Sequence, residues 1–458
     1  MKLSELQNKK IAILWFGKEG QSTLRFLQKQ GIKDITILDK NESDLFSLKK
    51  WEDFGVNYIF WNSYLDSLWD FDLIFKSPWI SPFWDTLRPY RNKFISQAQI
   101  FFENYSWKVI GITGTKGKST ISTLLYECLR VGWYNIKLVG NIGNPVLDEI
   151  DIGESEEYDY VIYEMSSYML QDFIPNLYIG FFNNIYICHL DWHYNSWNIY
   201  KEAKMNILKN AEYKIINGDF SMDNDIASLE GKKIFFNSKG KYVVREDSIY
   251  KEKTLISSTC DIALQWEHNL KNISWVLAIL DTIIEDIEKI QLIFQQVLPC
   301  FSWLPNRIED IWIYEGIRFI NDAIATTPES TIAAIETFDG ALQTLFLGGE
   351  DSGFDFVKIR KKILDSSIQN IIAFPDTSEK IFPEIISRDY EKAFEIEIED
   401  KTLQIIKTRN MKQAVDFSYK TTFHWRIALL SCAAPSFSLW KNYLEKAAQF
   451  KKEVQKYL

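Results

Sequence analysis

Cysteine is scarce in this sequence. The chain of 458 residues has five cysteines, which are far apart and include no Cys-x-x-Cys pair. An odd number of scattered cysteines argues against both a disulfide framework and a structural zinc site. We expect most of them to be small buried hydrophobic residues. They are Cys128, Cys188, Cys260, Cys300 and Cys432.

Long hydrophobic runs and an excess of positive charge are also missing. No window reaches about 18 uncharged apolar residues, and the start "MKLSELQNKKIAILWFG" lacks the pattern of a secretory signal. With 52 Lys and Arg against 62 Asp and Glu, the net charge of -10 gives no general attraction to nucleic acid or anionic membranes. We therefore expect a cytoplasmic protein that binds no nucleic acid and does not insert into a membrane.

The first hundred residues alternate between strand and helix patterns. Apolar stretches "KIAILWF", "DITILD" and "FDLIFKSP" are separated by helical segments such as "QSTLRFLQKQG". This rhythm predicts a Rossmann-like parallel sheet. Gly17 and Gly20 follow the first strand and Asp39 ends the second, which is only part of the dinucleotide-binding pattern. A tight strand-to-helix turn is an equally simple interpretation of these glycines.

Two further units repeat the alternation of strands and helices. One begins near "SWKVIGITG" and the other near "LPNRIED". A chain of this length has room for about three domains. We predict an α/β protein with a Rossmann-like N-terminal domain over residues 1–100, a central P-loop ATPase-type parallel-sheet domain over 101–302, and a Rossmann-like C-terminal domain over 303–458.

The stretch "GITGTKGKST" carries the strongest chemical signal. Only 20 glycines occur in the whole chain, and three of them, Gly111, Gly114 and Gly117, lie here. A strand, a glycine-rich turn and a helix start direct backbone N–H groups and one lysine at anionic oxygens. We expect Lys118 to contact the outer phosphates of a nucleoside triphosphate and Ser119 to contact its magnesium ion. The spacing differs from G-x-x-x-x-G-K-[ST], because Ile112 stands where that motif has its first glycine.

This stretch resembles the ATP loop of the Mur ligases, which join amino acids to the peptidoglycan precursor. The resemblance extends over essentially the whole chain. In that family a Glu closes a strand and two serines follow, and here "VIYEMSSYML" supplies Glu164, Ser166 and Ser167. A carboxylate at a strand end beside the loop can complete a magnesium shell, whereas an unpaired buried Glu would be costly.

A second block, "NNIYICHLDWHYNSWNIYKEAKMNIL", resembles the family segment with a magnesium-binding His followed fifteen residues later by a carbamylated lysine. His189 and Lys204 have this spacing, although Cys188 replaces the usual acidic residue. Because an ammonium repels a cation, a lysine is useful there only as an oxygen ligand, so we predict carbamylation of Lys204. Alternatively, His189 and His193 could form half of a zinc site.

The resemblance assigns roles to further residues. For catalysis these are Lys118, Glu164, His189 and Lys204. For magnesium they are Ser119, Glu164, His189 and Lys204. For ATP they are Gly114, Thr115, Lys116, Gly117, Lys118, Ser119, Thr120, Asn272, Arg307 and Asp322. For the UDP-linked substrate and the amino acid they are Gly17, Gly20, Asp39, Ser77, Asn141, Ser166, Thr326, Ser436 and Tyr443.

Within the family, the N-terminal rhythm resembles members that add glutamate to UDP-N-acetylmuramoyl-L-alanine. The resemblance implies an ATP-dependent, amide-forming ligase that works through an acyl phosphate, and we expect a monomer. Members that use D-glutamate commonly read "NDSKATN" and "GGDGK". This chain reads "NDAIATTP" and "GGEDSG", which replaces the two lysines with Ile324 and Ser352. Another cation such as Lys441 would then be needed for a dicarboxylic substrate.

D-glutamate remains our first expectation because its use is the commoner case. The "ATTPEST" form resembles a related subgroup that adds L-glutamate, which is the first alternative. A second alternative is a folylpolyglutamate synthase-like ligase, although that family has a glycine where Ser119 stands. A third is a catalytically silent nucleotide-binding paralogue, which would explain Cys188, Ile324 and Ser352.

Overall fold

The computed structural model describes residues 2–40, 56–60, 64–78, 80–141, 144–149, 157–187, 190, 192–219, 223–237, 240–245, 248–258, 267–301, 306–351 and 354–457. The chain divides into two compact units, residues 1–301 and 302–458. Within the described residues, the first unit contains two parallel sheets and a small antiparallel one, and the second unit contains a single mixed sheet. The predicted boundaries at residues 100 and 302 stay predictions.

The first sheet is parallel, with strand order β3-β2-β1-β4-β5. Its strands are β1 (Ile11–Leu14), β2 (Ile35–Asp39), β3 (Asn57–Phe60), β4 (Leu73–Lys76) and β5 (Phe94–Ile95). Its helices are α1 (Lys18–Lys29) and α2 (Gln97–Asn104). The order reverses between β1 and β4, and open α/β sheets bind ligands at the carboxyl ends of strands at such a point. The Rossmann-like prediction is confirmed.

The second sheet is also parallel, with strand order β11-β10-β9-β6-β8-β7. Its strands are β6 (Val109–Thr113), β7 (Ile136–Gly140), β8 (Tyr160–Glu164), β9 (Asn176–Phe182), β10 (Asn210–Asn217) and β11 (Lys232–Phe236). The helices of this part are α3 (Lys118–Val131), α4 (Ser167–Leu170), α5 (Trp197–Lys209), α6 (Asp223–Ala227), α7 (Glu267–Ile284) and α8 (Ile287–Val297). An antiparallel sheet contains β12 (Tyr242–Arg245), β13 (Ser248–Lys251) and β14 (Thr254–Ser258).

One hydrophobic core joins the first two sheets, and α2 lies inside it. Phe101 on α2 is 1% exposed. Its ring centroid lies 5.8 Å from that of Tyr163 on β8, in an edge-on arrangement. Ser96 and Gln99 cap the start of α2 with a reciprocal capping box. Helix α2, which follows the last strand of the first sheet, is therefore packed directly against β8 of the second sheet.

The second unit has a seven-stranded sheet of order β15-β16-β21-β17-β18-β20-β19, parallel except at its two edges. Its strands are β15 (Glu309–Tyr314), β16 (Ile317–Asn321), β17 (Leu342–Gly349), β18 (Asn370–Asp376), β19 (Ala393–Ile398), β20 (Lys401–Lys407) and β21 (Ile427–Leu430). Its helices are α9 (Pro328–Thr337), α10 (Val357–Asp365), α11 (Thr377–Ile381), α12 (Met411–Thr421) and α13 (Tyr443–Gln455).

Five short 3-10 segments complete the described elements of these types: Leu3–Leu6, Leu68–Asp70, Arg88–Lys93, Val146–Asp148 and Pro383–Ile385. The α/β class with parallel sheets is confirmed. Within the described ranges, no helix combines the length and apolar character needed to cross a lipid bilayer.

The shared core makes a prediction about stability. Replacing Phe101 with Ala removes a buried ring and leaves a cavity between the two sheets, so we expect a loss of about 3–5 kcal/mol of unfolding free energy. Differential scanning calorimetry measures this loss. Trp133→Ala is the control because Trp133 is 95% exposed and should have little effect. Equal transition temperatures for Phe101→Ala and Trp133→Ala would contradict a shared core.

Candidate functional site

The glycine-rich loop leaves the centre of the second sheet between the buried strand β6 and helix α3. Gly117 has a left-handed φ of 82° and caps α3. A Cβ atom at Gly117 would lie 2.8 Å from the Asn272 Oδ1 atom and 2.9 Å from the Asn183 Nδ2 atom. Only glycine therefore fits at this position. Asn272 was predicted as an ATP contact, and the structure brings it to the loop.

Two asparagines directly after β9 hold the loop in place. The Asn184 Oδ1 atom accepts hydrogen bonds from the backbone N–H groups of Thr115 (2.9 Å) and Lys116 (2.8 Å). The side-chain amides of Asn183 and Asn184 donate to the Lys116 carbonyl at 2.8 and 3.0 Å. Sequence reasoning did not single out this pair. The available signal was two adjacent amide side chains at the end of a buried strand.

Lys118 opens α3 and folds back over the loop. Its ammonium donates to the carbonyl oxygens of Gly114 (2.9 Å) and Thr115 (3.3 Å). The positive charge thus lies beside a helix N-terminus, whose first N–H groups have no partner within the helix. A positive charge and free amide donors in one place favour phosphate binding.

Glu164, at the end of β8, is completely buried. Its Oε1 atom accepts hydrogen bonds from the Ser119 hydroxyl (3.3 Å) and from the Asn141 side-chain amide (3.0 Å). Its Oε2 atom has no hydrogen-bond partner within the described residues. Burying a carboxylate oxygen without a hydrogen-bond partner costs folding free energy unless a cation binds it. Carboxylate and hydroxyl oxygens are suitable magnesium ligands, so Glu164 and Ser119 fit the predicted metal.

Lys204 lies on α5 and reaches the same loop. The residue is 2% exposed, and its Nζ atom donates to the Gly114 carbonyl at 2.7 Å. The neighbouring Tyr200 hydroxyl shares a hydrogen bond of 2.8 Å with the Thr115 hydroxyl. The predicted lysine therefore contacts the phosphate loop directly. Its carbamylation stays a prediction.

His193 is a buried, hydrogen-bonded residue of the core. Its Nδ1 atom lies 2.7 Å from the Gln171 Oε1 atom, and its Nε2 atom lies 3.1 Å from the Ser167 hydroxyl. Because both ring nitrogens already have partners, the structure does not support the zinc alternative. No group of three or more His, Cys, Asp and Glu side chains able to hold a metal occurs among the described residues. His189, Cys188 and Ser352 lie outside the described residues.

The N-terminal candidates Gly17, Gly20, Asp39 and Ser77 all follow or end β1, β2 or β4. The Asp39 Oδ2 atom accepts a hydrogen bond from the Phe16 N–H at 2.7 Å. Because carboxyl ends of parallel strands meet at one edge, these residues share the edge where the strand order reverses. This is the position expected for a ligand of a Rossmann-like sheet.

Lys76 fixes the turn that carries Ser77. Its Nζ atom donates to the carbonyl oxygens of Ser77 (3.3 Å) and Ile80 (2.8 Å). Burial lowers the pKa of Lys76 to about 8, although the carboxylates of Asp172 and Glu19 act in the opposite direction. Burial also raises the pKa of Glu19 to about 7. Burial thus moves the pKa values of both Lys76 and Glu19 toward neutral pH.

The remaining predicted site residues lie partly in the first unit and partly in the second. In the first unit, the Ser166 hydroxyl accepts from the Met169 N–H and caps α4. In the second unit, Ser436 is 3% exposed and its hydroxyl has no hydrogen-bond partner within the described residues. The other predicted residues of that unit are Arg307, Asp322, Thr326 and Tyr443.

Part of the chain matches a known protein family. Residues 112–280 match the Mur ligase middle domain. The centre of this chain is therefore similar to that domain. The matched stretch contains the glycine-rich loop and Asn272, as well as Glu164 and Lys204, so the predicted relationship to Mur ligases is confirmed.

Curated relatives match along nearly the full chain. A UDP-N-acetylmuramoylalanine--D-glutamate ligase of Acetivibrio thermocellus is 28% identical, covering 98% of this chain and 97% of its own. Proteins of the same name from Clostridium tetani and Ligilactobacillus salivarius are 27% and 29% identical, again over 97% or more of their lengths.

Solved structures support the fold. The chain resembles MurC from Thermotoga maritima with a TM-score of 0.59, at 16% identity, covering 98% of this chain and 100% of that one. It also resembles MurF from Thermotoga maritima, solved in complex with ADP, with a TM-score of 0.56 at 15% identity, covering 100% and 97% of the two chains. At these identities the likeness shows the fold alone.

The geometry of Gly117 yields a direct test. We expect Gly117→Ala to weaken ATP binding at least about tenfold, because its Cβ collides with two asparagine side chains and distorts the loop. Isothermal titration calorimetry with a non-hydrolysable ATP analogue measures the change. Gly31→Ala is the matched control: Gly31 has a similar φ of 73° but open space around it. Similar affinities for both variants would show that the loop does not need the enclosed glycine.

Proposed function

We propose that this protein is an ATP-dependent ligase that joins D-glutamate to UDP-N-acetylmuramoyl-L-alanine in peptidoglycan synthesis. The observation that carries the proposal is the buried Glu164 carboxylate, with one unpaired oxygen, hydrogen-bonded to Ser119 next to an enclosed glycine loop. Relatives that align over nearly the full chain are named for this reaction. The bond formed is an amide between an acid and an amino acid.

The residues of the second sheet hold ATP and its metal. The loop Gly114–Thr120 surrounds the phosphates, with the N–H groups at the start of α3 as donors, and Asn272 supports the loop. Ser119, Glu164, His189 and Lys204 would hold magnesium, which when bound would supply positive charge to neutralise the phosphates. Lys118 adds a further positive charge where the γ-phosphoryl group leaves ATP for the alanine carboxylate. Without such charges, two anions in a water-poor cleft would repel each other strongly.

The chemical sequence follows from the need to activate a carboxylate. Transfer of the γ-phosphoryl group gives an acyl phosphate, and the amine of glutamate then attacks its carbonyl carbon. Phosphate leaves as the amide forms. Asn141 lies next to Glu164 and is suited to orient the acceptor carboxylate near the phosphate loop. Exclusion of water protects the acyl phosphate from hydrolysis.

The two other substrate regions lie at strand ends. Gly17, Gly20, Asp39 and Ser77 bind the UDP portion at the edge of the first sheet, and Ser166 binds the sugar-linked part. In the second unit, Thr326, Ser436 and Tyr443 bind glutamate, and Arg307 and Asp322 approach the nucleotide. The unpartnered, buried hydroxyl of Ser436 supports this assignment, because such a group gains a partner when a carboxylate binds.

The alternatives differ in how well the observations support them. The folylpolyglutamate synthase of Yersinia pestis shares the fold at a TM-score of 0.53 and 12% identity, so the fold does not distinguish it. The loop serine and the relatives' names favour the peptidoglycan reaction. Retention of Lys118, Ser119, Glu164 and Lys204 around one loop favours an active enzyme over a silent paralogue. The monomeric state and cytoplasmic location stay predictions.

The identity of the amino acid is tested by a two-isomer assay. We expect ATP-dependent phosphate release with UDP-N-acetylmuramoyl-L-alanine plus D-glutamate, and at least about tenfold less with L-glutamate. Ile324, which replaces a lysine of the D-glutamate pattern, is the observation that favours the L-isomer alternative. Faster turnover with L-glutamate would establish that alternative. No ATP consumption with either isomer would refute the ligase proposal.

The lysine carbamate has its own test. We expect Lys204→Ala to abolish product formation, since a magnesium ligand is lost. Incubation with carbon-13 bicarbonate should give a carbamate signal in the nuclear magnetic resonance spectrum of the wild type that is absent from Lys204→Ala. Lys209→Ala is the control, because Lys209 lies on the same helix and is exposed. Full activity of Lys204→Ala would contradict the proposed role.

A further inference from the structure

A short segment, residues 192–196, lies between two parts of the proposed substrate site. One part is the Ser77 turn, which comprises Ser77, Pro78 and Ile80 and follows β4. The other part is α4, whose start is capped by the Ser166 hydroxyl. Buried polar contacts and ring packing connect the segment to both parts.

Ser81 connects the segment to the Ser77 turn. The residue is 1% exposed, and its hydroxyl donates to the Trp192 carbonyl at 2.6 Å and accepts from the Phe83 N–H at 3.3 Å. The Phe83 ring lies edge-on to the Trp192 ring, with centroids 6.4 Å apart. The Lys76 ammonium, which also donates to two carbonyl oxygens of the turn, lies 5.6 Å from the centroid of the Trp192 ring. Trp192 therefore packs against the side chain that holds the turn.

His193 connects the segment to α4. Its Nε2 atom lies 3.1 Å from the Ser167 hydroxyl, and its Nδ1 atom lies 2.7 Å from the Gln171 Oε1 atom. The Tyr168 ring of α4 lies 4.5 Å, centroid to centroid, from the Trp192 ring. Trp192 itself is only 8% exposed. Its indole is thus enclosed by side chains from both the turn and the helix.

A cavity of about 270 Å³ separates the Ser77 turn from α4. Its lining includes Pro78 of the turn and Tyr168 and Met169 of α4. The Arg91–Asp172 ion pair also connects the chain after the turn to the chain after α4. Its side chains are 46% and 34% exposed, so the pair contributes little stability. Because tightly packed interiors leave few such spaces, direct contact does not set the distance between the two parts.

We propose that residues 192–196 are a spacer that fixes the distance between the Ser77 turn and α4, with Ser81 and His193 as the positioning residues at its two sides. The inference rests on the proposed function, in which Ser77 binds the UDP portion and Ser166 binds the sugar-linked part of one substrate. A ligand that touches both groups binds best when their separation is fixed beforehand. The spacer thus favours the whole substrate over UDP, which reaches only the edge of the first sheet.

Isothermal titration calorimetry of the intact protein with UDP and with UDP-N-acetylmuramoyl-L-alanine tests the spacer. We expect Ser81→Ala to weaken binding of the whole substrate about fivefold, because it removes a buried hydrogen bond. Its affinity for UDP should match that of the wild type, since the bonds from Lys76 still hold the turn. Ser228→Ala is the control: it removes an exposed hydroxyl that donates to the Asp225 carbonyl at 2.9 Å, and both affinities should be unchanged.

Ser167→Ala gives an independent test, in case Ser81→Ala does not fold. It removes the bond to His193 on the α4 side and should cause the same selective loss of about fivefold. The double variant should lose little more than either single variant, because breaking one side already frees the spacer. Equal weakening of UDP and of the whole substrate would indicate a purely structural role and overturn the proposal. An unchanged affinity of either single variant for the whole substrate would also overturn it.

Hydrogen–deuterium exchange tests the spacer without any ligand. In Ser167→Ala we expect exchange of a peptide spanning residues 81–90 to rise about fivefold. The reason is that a freed His193 loosens the hydrogen bonds of Ser81. The peptide should be unchanged in Ser228→Ala, and unchanged exchange in Ser167→Ala would overturn the spacer. If the wild type does not bind UDP-N-acetylmuramoyl-L-alanine, or consumes no ATP with it, the proposed function fails, and this exchange experiment still decides the spacer.

Discussion

The buried carboxylate of Glu164 is the constraint on which the candidate site depends. In the second sheet Glu164 pairs with Ile112 of β6, and this register sets the carboxylate beside the loop that follows β6. On the other side of β6, Phe182 pairs with Thr113, so Asn183 and Asn184 emerge next to the same loop. The strand order therefore determines which polar side chains lie beside the glycine-rich loop.

Much of this arrangement could be predicted from the sequence, because its signals are local. Buried parallel strands read as continuous apolar runs, and the glycine-rich turn before Lys118 is typical of a phosphate-binding loop. Glu164 and Lys204 were identified through a family resemblance and lie at the loop. Asn183 and Asn184 were missed because their role depends on which strand lies beside β6. His193 gave a misleading signal, since four-residue spacing says nothing about the partners of its ring nitrogens.

The second unit shows the limit of sequence patterns more clearly. The absence of lysines at Ile324 and Ser352 is visible in the sequence, and it directs attention to exposed substitutes such as Lys441. Sequence reasoning did not consider Lys446, because the apolar residues of its helix, α13, show the spacing of ordinary core packing. Lys446 is nevertheless fully buried, and its ammonium nitrogen has no hydrogen-bond partner within the described residues. The spacing of apolar residues along a helix does not show that a lysine on the same helix is buried.

Other buried lysines show what a structural role looks like in this protein. Lys407 is 2% exposed, and its ammonium donates to three carbonyl oxygens and forms an ion pair of 2.9 Å with Glu379. The positive charge of Lys407 is thus stabilised by hydrogen bonds and an ion pair with the surrounding chain. For the fully buried Lys446, by contrast, no hydrogen-bond partner of the ammonium nitrogen lies within the described residues.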